Sequence, residues 1–303
     1  MKKELKDILV PVDFEQASIL AVEYAFELAK LINCNIHLLY VIRKLDFISE
    51  ALRSSDELVK ITESAKQKLE ELALKYKKES SVNFYTKIER GKVYEKVAET
   101  AESIKARIIV LGDNHCFQTG NKTLGSNSMQ IISTAKCPVF ITKSKKFELL
   151  KNILVPIDLS TEVSKQISSA IAYGKNYDAK IHLVSVVIGG ILSKKSRIFK
   201  KLKQIQKTLS DNGIVCTSKL YDFTSDAIPY KNVLNYAEEI KADSLLLMTH
   251  QEKRNDNYIG AFAHNIMNES TIPVISLTAC ATSESDNFLT DAIDPFGLFS
   301  KTK

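Results

Sequence analysis

The residues best suited to chemistry lie in one stretch of the first half of the chain. Residues 112–128, GDNHCFQTGNKTLGSNS, follow the apolar run 108–111 and lead into a helix-like segment. Glycine lets a backbone approach an anion closely, and the free N–H groups at the start of a helix bind phosphate. Ser126 occupies the position expected for the N-cap of such a helix. The same composition also fits an ordinary strand-to-helix loop, so this stretch alone leaves both interpretations open.

The other reactive side chains form no recognisable catalytic or metal-binding set. His115 and Cys116 are neighbours in sequence, which favours a surface loop over a zinc site or an activated nucleophile. Segment 120–123, GNKT, resembles the end of a P-loop, but no glycine precedes it at the required distance. His250 and His264 have no cysteine or carboxylate at a ligand-like spacing, and we expect structural roles for them. We therefore predict no catalytic residue, no metal site, and a binding protein rather than an enzyme.

Composition restricts the class of protein. The 303 residues carry a formal net charge of +6, but acidic and basic residues are interspersed, which favours solubility over nucleic-acid binding. No apolar run has the length of a membrane-spanning helix, and the N-terminal segment is too polar for a secretory signal. The cysteines lack CxxC spacing and are expected to be free thiols in a reducing cytoplasm; they are Cys34, Cys116, Cys137, Cys216 and Cys280.

The chain contains one pattern twice. KDILVPVD at 6–13 returns as KNILVPID at 151–158, and IHLLYVI at 36–42 returns as IHLVSVV at 181–187, both 145 positions later. IKARIIVLG at 104–112 returns as IKADSLLLM at 240–248, 136 positions later, and CPVFIT at 137–142 returns as IPVISL at 272–277, 135 positions later. The second copy has thus lost nine residues before its fourth strand and one in the loop that follows. A shared offset over so many elements indicates a duplication.

Each copy alternates strand-like and helix-like segments. In the first copy, β-rich runs predict five strands and the segments between them show helical periodicity. The predicted strands are 8–12, 35–42, 82–88, 107–111 and 138–142, and the predicted helices are 17–32, 54–80, 92–104 and 126–135. Strands that alternate with helices form a parallel sheet with helices on both faces. The sequence thus predicts an α/β fold with two duplicated, doubly wound, mostly parallel five-stranded sheets, in domains at 1–144 and 150–279 with a tail at 280–303.

Several motifs together resemble a known family. These are ILVPVDF at 8–14, the amphipathic segment after it, the strand through Val41, and CPVFIT at 137–142. The pattern resembles the universal stress protein family over about the first 280 residues, in that family's tandem form. The family's nucleotide-binding motif is Gly, two residues, Gly, nine residues, then Gly followed by Ser or Thr. Gly112 and Gly125-Ser126 match its ends at the correct spacing, and His115 stands at its middle position.

The resemblance implies a Rossmann-type fold of the adenine nucleotide alpha hydrolase-like kind, with a nucleotide site in the first domain. In that site Asp13 and the backbone around Pro11, Val12 and Val41 hold an adenine and its ribose. The phosphates are surrounded by Gly112, Gly125, Ser126, Asn127 and Ser128, and His115 either points outward or donates a hydrogen bond to phosphate. The implied cofactor is ATP or AMP, with Mg²⁺ in the case of ATP.

The second copy keeps less of this motif. Met248 and Gln251 replace the first two glycines, and Gly260-Ala261 closes the motif after only eight intervening residues. Losing two glycines and a hydroxyl leaves little that can hold phosphate. We expect the second nucleotide site to be empty, although the loss of phosphate-binding groups can leave an apolar cleft for another small ligand.

The leading hypothesis is a cytoplasmic stress-response protein, a regulatory module that senses an adenine nucleotide through its first domain. The alternatives are a nucleotide-free scaffold for an unknown protein partner, and a weak ATPase or self-phosphorylating enzyme. Segment 194–207, KKSRIFKKLKQIQK, predicts an amphipathic helix that fits either a core-facing stripe with solvated lysines or a docking surface for an anionic partner. Its apolar stripe is Ile198, Phe199, Leu202, Ile205 and Leu209.

The resemblance also implies an assembly. Members of the family commonly dimerise through their final strand, and a tandem chain can make that contact internally. The matching strands here are PVFIT at 138–142 and PVISL at 273–277. We therefore expect an intramolecular pseudo-dimer, with any further homodimer formed through other surfaces.

Overall fold

The computed structural model describes residues 7–44, 55–77, 81–113, 123–143, 150–159, 163–188, 192–223, 228–249 and 259–278. The chain divides into two compact units, Met1–Phe147 and Glu148–Lys303. None of the helices within the described ranges combines the length and the apolar character that crossing a membrane requires.

The first unit is a five-stranded parallel sheet with a helix between each pair of consecutive strands. Its elements are β1 Ile8–Pro11, α1 Gln16–Ile32, β2 Ile36–Arg43, α2 Ser55–Lys77, β3 Phe84–Gly91, α3 Val93–Ser103, β4 Ile108–Gly112, α4 Ser126–Thr134 and β5 Val139–Thr142. The strands lie side by side in the order β3-β2-β1-β4-β5. Right-handed crossovers place α1 and α2 on one face, and α3 and α4 on the other.

The second unit repeats this arrangement. Its elements are β6 Asn152–Pro156, α5 Ser164–Tyr177, β7 Lys180–Ile188, α6 Leu192–Asp211, β8 Cys216–Phe223, α7 Pro229–Glu239, β9 Ser244–Thr249, α8 Ala261–Glu269 and β10 Val274–Thr278. Its strands are also parallel, in the order β8-β7-β6-β9-β10. The predicted pair of doubly wound parallel sheets is therefore confirmed.

The structure locates the length difference between the two copies. Cys216 opens β8 and follows Phe84, its counterpart in β3, by 132 positions, whereas β2 and β7 are 145 positions apart. Helices α3 and α7 are again 136 positions apart. The nine-residue difference is thus the net result of thirteen residues fewer between β7 and β8 and four residues more before α7.

Hydrophobic periodicity determines which helix faces pack on the sheets. All eight α1 positions that recur at three- and four-residue steps in the sequence are buried: Ala17, Leu20, Ala21, Tyr24, Ala25, Leu28, Ala29 and Ile32. In α6 the stripe through Leu202, Ile205 and Leu209 is also buried. Phe199, predicted to belong to that stripe, is 48% exposed. Ile198, four residues before Leu202, continues the stripe instead and is half-buried.

Equivalent helix ends share an unusual backbone conformation. Asn33 ends α1 with φ 50°, and its counterpart Asp178 ends α5 with φ 51°. Lys105 follows α3 with φ 50°, and its counterpart Lys241 follows α7 with φ 51°. A left-handed residue closes the last helical turn with a backbone hydrogen bond, a role that glycine usually takes.

Candidate functional site

The first sheet opens a cleft at the carboxyl end of its strands. Strands β1 and β4 pair at Ile8 with Ile108 and at Leu9 with Ile109. The chain turns in opposite directions from these two central strands, since β2 lies beyond β1 and β5 lies beyond β4. Open parallel sheets bind ligands at such a point. A cleft of about 540 Å³ lies there.

Most of the residues named from the sequence line this one cleft. They are Pro11, Val12, Asp13, Val41, Gly112, Asn127 and Ser128. Gly125 and Ser126 lie directly before Asn127, at the start of α4. His115 falls outside the described residues, so its position stays a prediction. The fold therefore brings together residues that are up to 117 positions apart in sequence, between Pro11 and Ser128.

Asp13 forms the turn between β1 and α1. Its backbone N–H donates to the Ser18 hydroxyl at 3.3 Å, and its Oδ1 accepts a hydrogen bond from the Glu15 N–H at 3.0 Å. The Ser18 hydroxyl donates in turn to the Glu15 carbonyl at 3.0 Å. Phe14 lies between them in a left-handed conformation, with φ 68°, and its ring stacks on Tyr40. These contacts fix the exposed Asp13 carboxylate at the cleft, with Oδ2 directed to no partner among the described residues.

The start of α4 provides backbone donors. Gly125 is the N-cap residue and makes no side-chain cap, and Ser126 is the first helical residue. The expectation that Ser126 is the N-cap is therefore wrong by one position. The first intrahelical bond runs from the Met129 N–H to the Gly125 carbonyl at 3.1 Å, so the N–H groups of Ser126, Asn127 and Ser128 precede the helical ladder. A β-carbon on Gly125 would meet no described atom within 4 Å.

Gly112 has a different role from the one its motif suggests. A β-carbon on Gly112 would overlap the Ala17 carbonyl group in the first turn of α1 and would lie 2.8 Å from the Ser18 nitrogen. The glycine at this position is therefore required by the packing of α1 against the end of β4. Its place in the cleft wall follows from that packing, with no phosphate needed to explain the residue.

A buried ion pair lies beside this glycine. Asp113 directly follows β4 and Lys143 directly follows β5, and the Lys143 ammonium donates to Asp113 Oδ2. Each residue is 2% exposed. The pair holds together the ends of two neighbouring strands at the point where the 112–128 stretch begins.

Sequence reasoning missed several residues of the cleft wall. Tyr40 and Arg43 come from the end of β2, Ile61 comes from α2, and Val93 opens α3. Arg43 could have been found, because it lies two residues after Val41 and alternation places both side chains on one face of the strand. Ile61 and Val93 reach the cleft only through the packing of their helices, which no local motif encodes.

The second unit has a smaller cleft at the equivalent place. It measures about 290 Å³ and has Met248, Phe262 and Ala263 in its wall, at the positions of Gly112, Asn127 and Ser128. Helix α5 begins at Ser164, the counterpart of Ile19, three positions later than α1 begins. The counterpart of Ala17 is Glu162, which lies outside the described residues.

The titratable groups with the clearest shifts lie away from both clefts. Burial lowers the pKa of His182 from 6.5 to about 4, with a smaller contribution from Lys180. Burial raises the pKa of Cys34 and of Cys216 to about 12, which makes both thiols unreactive. His264 contacts the Asn268 amide at 3.1 Å. Among the described side chains, no three His, Cys, Asp or Glu residues are grouped closely enough to hold a metal ion.

Comparison with known proteins relates both halves of the chain to one family. The universal stress protein family matches residues 4–143 and again 150–277. Universal stress protein MJ0531 of Methanocaldococcus jannaschii is 31% identical over 146 residues, which are 47% of this chain and 85% of that protein. A universal stress protein structure from Archaeoglobus fulgidus covers 90% of this chain and 98% of its own, with 20% identity and a TM-score of 0.71.

A further Archaeoglobus fulgidus structure is that of a universal stress protein in complex with dAMP. It matches 43% of this chain and 98% of its own at 15% identity, with a TM-score of 0.34. The Archaeoglobus fulgidus structure that covers 90% of this chain shows the fold. The two matches to the family model show the family. The chain belongs to the universal stress protein family, as a tandem member with two copies of the family's domain.

Proposed function

We propose that the first unit binds an adenine nucleotide and that the protein is a cytoplasmic stress-response module that senses it. The observation that carries the proposal is the cleft of about 540 Å³ at the carboxyl end of the first sheet. It brings the Asp13 carboxylate and the start of α4 to the same opening. A carboxylate suits a ribose hydroxyl, and a helix start suits a phosphate. The support comes from these residues rather than from the dAMP complex of the relative.

Each part of the site has a distinct role in this proposal. Pro11, Val12 and Val41 form the apolar wall for adenine, and Asp13 Oδ2 accepts a hydrogen bond from ribose. The N–H groups of Ser126, Asn127 and Ser128 hold phosphate oxygens, with the open space beside Gly125 leaving room for them. Gly112 shapes the cleft by admitting α1. The role of His115 stays as the resemblance implies it, turned outward or donating to phosphate.

The nucleotide that fits this site is AMP or ATP. If ATP binds, Mg²⁺ is held mainly by its phosphates and by water, with Asp13 as the nearby carboxylate. In this proposal the described residues bind and orient the nucleotide. The proposal therefore requires binding and no phosphate transfer.

Isothermal titration with ATP, ADP and AMP tests the proposal. The wild-type protein should bind at least one of them with a Kd below the millimolar range. Gly125→Asp should weaken binding by at least about tenfold, because it places a carboxylate where the phosphate belongs. Gly260→Asp is the matched control, since Gly260 is the N-cap of α8 and is equally open. No heat at millimolar nucleotide, or equal affinity in the Gly125→Asp protein, would overturn the proposal.

One observation favours a second function, the nucleotide-free scaffold. Arg197, Lys200 and Lys203 are exposed on α6, and the exposed Phe199 ring has the Lys203 ammonium 5.7 Å from its centre. A basic face with an aromatic residue suits an acidic protein partner. The scaffold function is favoured over the sensor function under two conditions. The wild-type and Gly125→Asp proteins must behave alike in cells, and replacement of these basic residues by glutamine must abolish the cellular function that both retain. Magnesium-dependent phosphate release that Asp13→Ala abolishes would instead favour the enzyme.

A further inference from the structure

The second unit contains a cleft whose chemistry differs from that of the nucleotide cleft in the first unit. It lies at the carboxyl end of the second sheet and measures about 290 Å³. Its walls are mainly aliphatic, contributed by strands, by α7 and by α8. They include Val184, Val186, Val233, Leu247, Met248 and Ala263.

The groups that would hold phosphate are replaced one by one. Met248 stands at the position of Gly112, Ala261 at that of Ser126, and Phe262 at that of Asn127. Each change removes a hydroxyl or an amide, or fills space with carbon and sulfur. A thioether and an aromatic ring attract apolar molecules and other rings. The wall of this cleft therefore suits an apolar ligand.

The floor of the cleft has its polar groups paired. Strands β6 and β9 pair at Ile153 with Ser244 and at Leu154 with Leu245. Beyond them the Gln166 amide bridges the two strands, because its Nε2 donates to the Pro156 carbonyl at 2.8 Å and to the Leu246 carbonyl at 3.0 Å. Gln166 is 2% exposed. The counterpart of Gln166 in the first unit is Ala21, so this bridge belongs to the second unit.

Among the described residues of the cleft wall, Asp158 is the one that carries a charge, and it favours a ligand of a particular charge. Asp158 lies in the cleft wall with an exposed side chain, and Phe262, another residue of the wall, is 36% exposed. A carboxylate attracts an ammonium group, accepts a hydrogen bond from a hydroxyl, and repels another carboxylate. A fatty or aromatic acid is therefore disfavoured here relative to the corresponding amine or alcohol.

We propose that the second cleft binds a small apolar molecule that carries an amino or hydroxyl group. The apolar part packs against Met248 and the valines, and the polar group contacts Asp158. An apolar cavity of about 150 Å³ holds benzene, so about 290 Å³ accommodates roughly a dozen non-hydrogen atoms. This site is independent of the nucleotide site proposed for the first unit.

Methionine methyl groups allow a direct test on the full chain. The protein has four methionines: Met1, Met129, Met248 and Met267. With ¹³C-methyl labelling, the Met248 signal is assigned through Met248→Leu and followed during titration with 4-phenylbutylamine. We expect a saturable ring-current shift of the Met248 methyl, with the signal of Met129 in α4 unmoved. 5-Phenylpentanoate, which has the same phenyl group and four methylenes but ends in a carboxylate, should bind at least about tenfold more weakly.

Two variants separate this site from non-specific binding. Val186→Phe fills the second cleft and should abolish the Met248 response, whereas Val41→Phe, the matched change in the first cleft, should leave it intact. Asp158→Asn should remove the preference for the amine over the acid without enlarging the cleft, and it serves if Val186→Phe fails to fold. The proposal is overturned if the Met248 methyl stays unmoved up to the solubility limit of the amine. It is equally overturned if Val186→Phe binds as tightly as wild type, or if acid and amine bind alike.

Discussion

Gly112 packs directly against the backbone of Ala17, so that the first turn of α1 touches the end of β4 with no side chain between them. This contact connects a residue of the nucleotide-binding motif to the position of a helix. In the second copy Met248 replaces the glycine, and α5 begins three positions later than α1 in the aligned repeats.

We predict that Gly112→Ala destabilises the first unit by about 1–3 kcal/mol, because the new methyl group displaces backbone rather than a flexible side chain. Urea unfolding followed by circular dichroism measures the change. Gly125→Ala is the matched control, and its free energy of unfolding should lie within about 0.5 kcal/mol of wild type. Equal losses in the two variants would show that the Ala17 contact is not what requires glycine at position 112.

The buried pair of Asp113 and Lys143 gives a second prediction. Lys143→Thr removes the ammonium that pairs with the buried Asp113 carboxylate and should cost about 3–5 kcal/mol of unfolding free energy. The double variant Asp113→Thr/Lys143→Thr should recover most of this loss. It introduces the residues of the second copy, in which Thr249 and Thr278 occupy these positions and the Thr249 hydroxyl donates to the Leu277 carbonyl at 3.1 Å. A double variant as unstable as the single one would contradict this account.

His182 should make the stability of the second unit depend on pH. Its pKa is lowered from 6.5 to about 4 in the folded protein, so the unfolded chain takes up the proton first as pH falls. The stabilisation is fully present above about pH 6.5 and is lost towards pH 4, at about 1.4 kcal/mol per unit of pKa difference at most. The neutral ring contacts the Thr217 hydroxyl at 2.8 Å through Nδ1. Denaturant midpoints between pH 7 and pH 4 should fall less steeply in His182→Gln than in wild type.

Much of the fold was predictable because its signals are local. The eight buried positions of α1 and the alternating strands follow from periodicity, and the duplication repeats each signal. The prediction of strand β3 was less accurate, since the strand was expected at 82–88 and lies at Phe84–Gly91. It pairs with β2 as far as Arg43, and this pairing extends the strand to Gly91. The predicted residues that converge on the first cleft were found by resemblance to a family motif. The packing role of Gly112 was not, since it depends on a helix ninety-five positions away.

The expected pairing of the last strands of the two copies stays a prediction. Within their own units β5 pairs with β4 and β10 pairs with β9. Phe140 lies 5.8 Å from the Tyr24 ring in the core of the first unit, so a charge at Phe140 would unfold that unit rather than only loosen the assembly. Small-angle scattering of the unmodified protein is the better measurement. A profile of one compact particle is expected, and two independently tumbling bodies would contradict it.

The left-handed residues that close α1, α3, α5 and α7 mark positions where a substitution can raise the stability of the protein. Lys105 and Lys241 are exposed and hold a conformation that costs a non-glycine residue about 1 kcal/mol. Glycine at both positions should therefore raise the melting temperature by several degrees without touching either cleft. Alanine at the same positions is the control and should give no such gain. The two copies differ in most side chains but share the left-handed backbone conformation at the ends of these helices. The backbone path is therefore more alike between the copies than their side chains are.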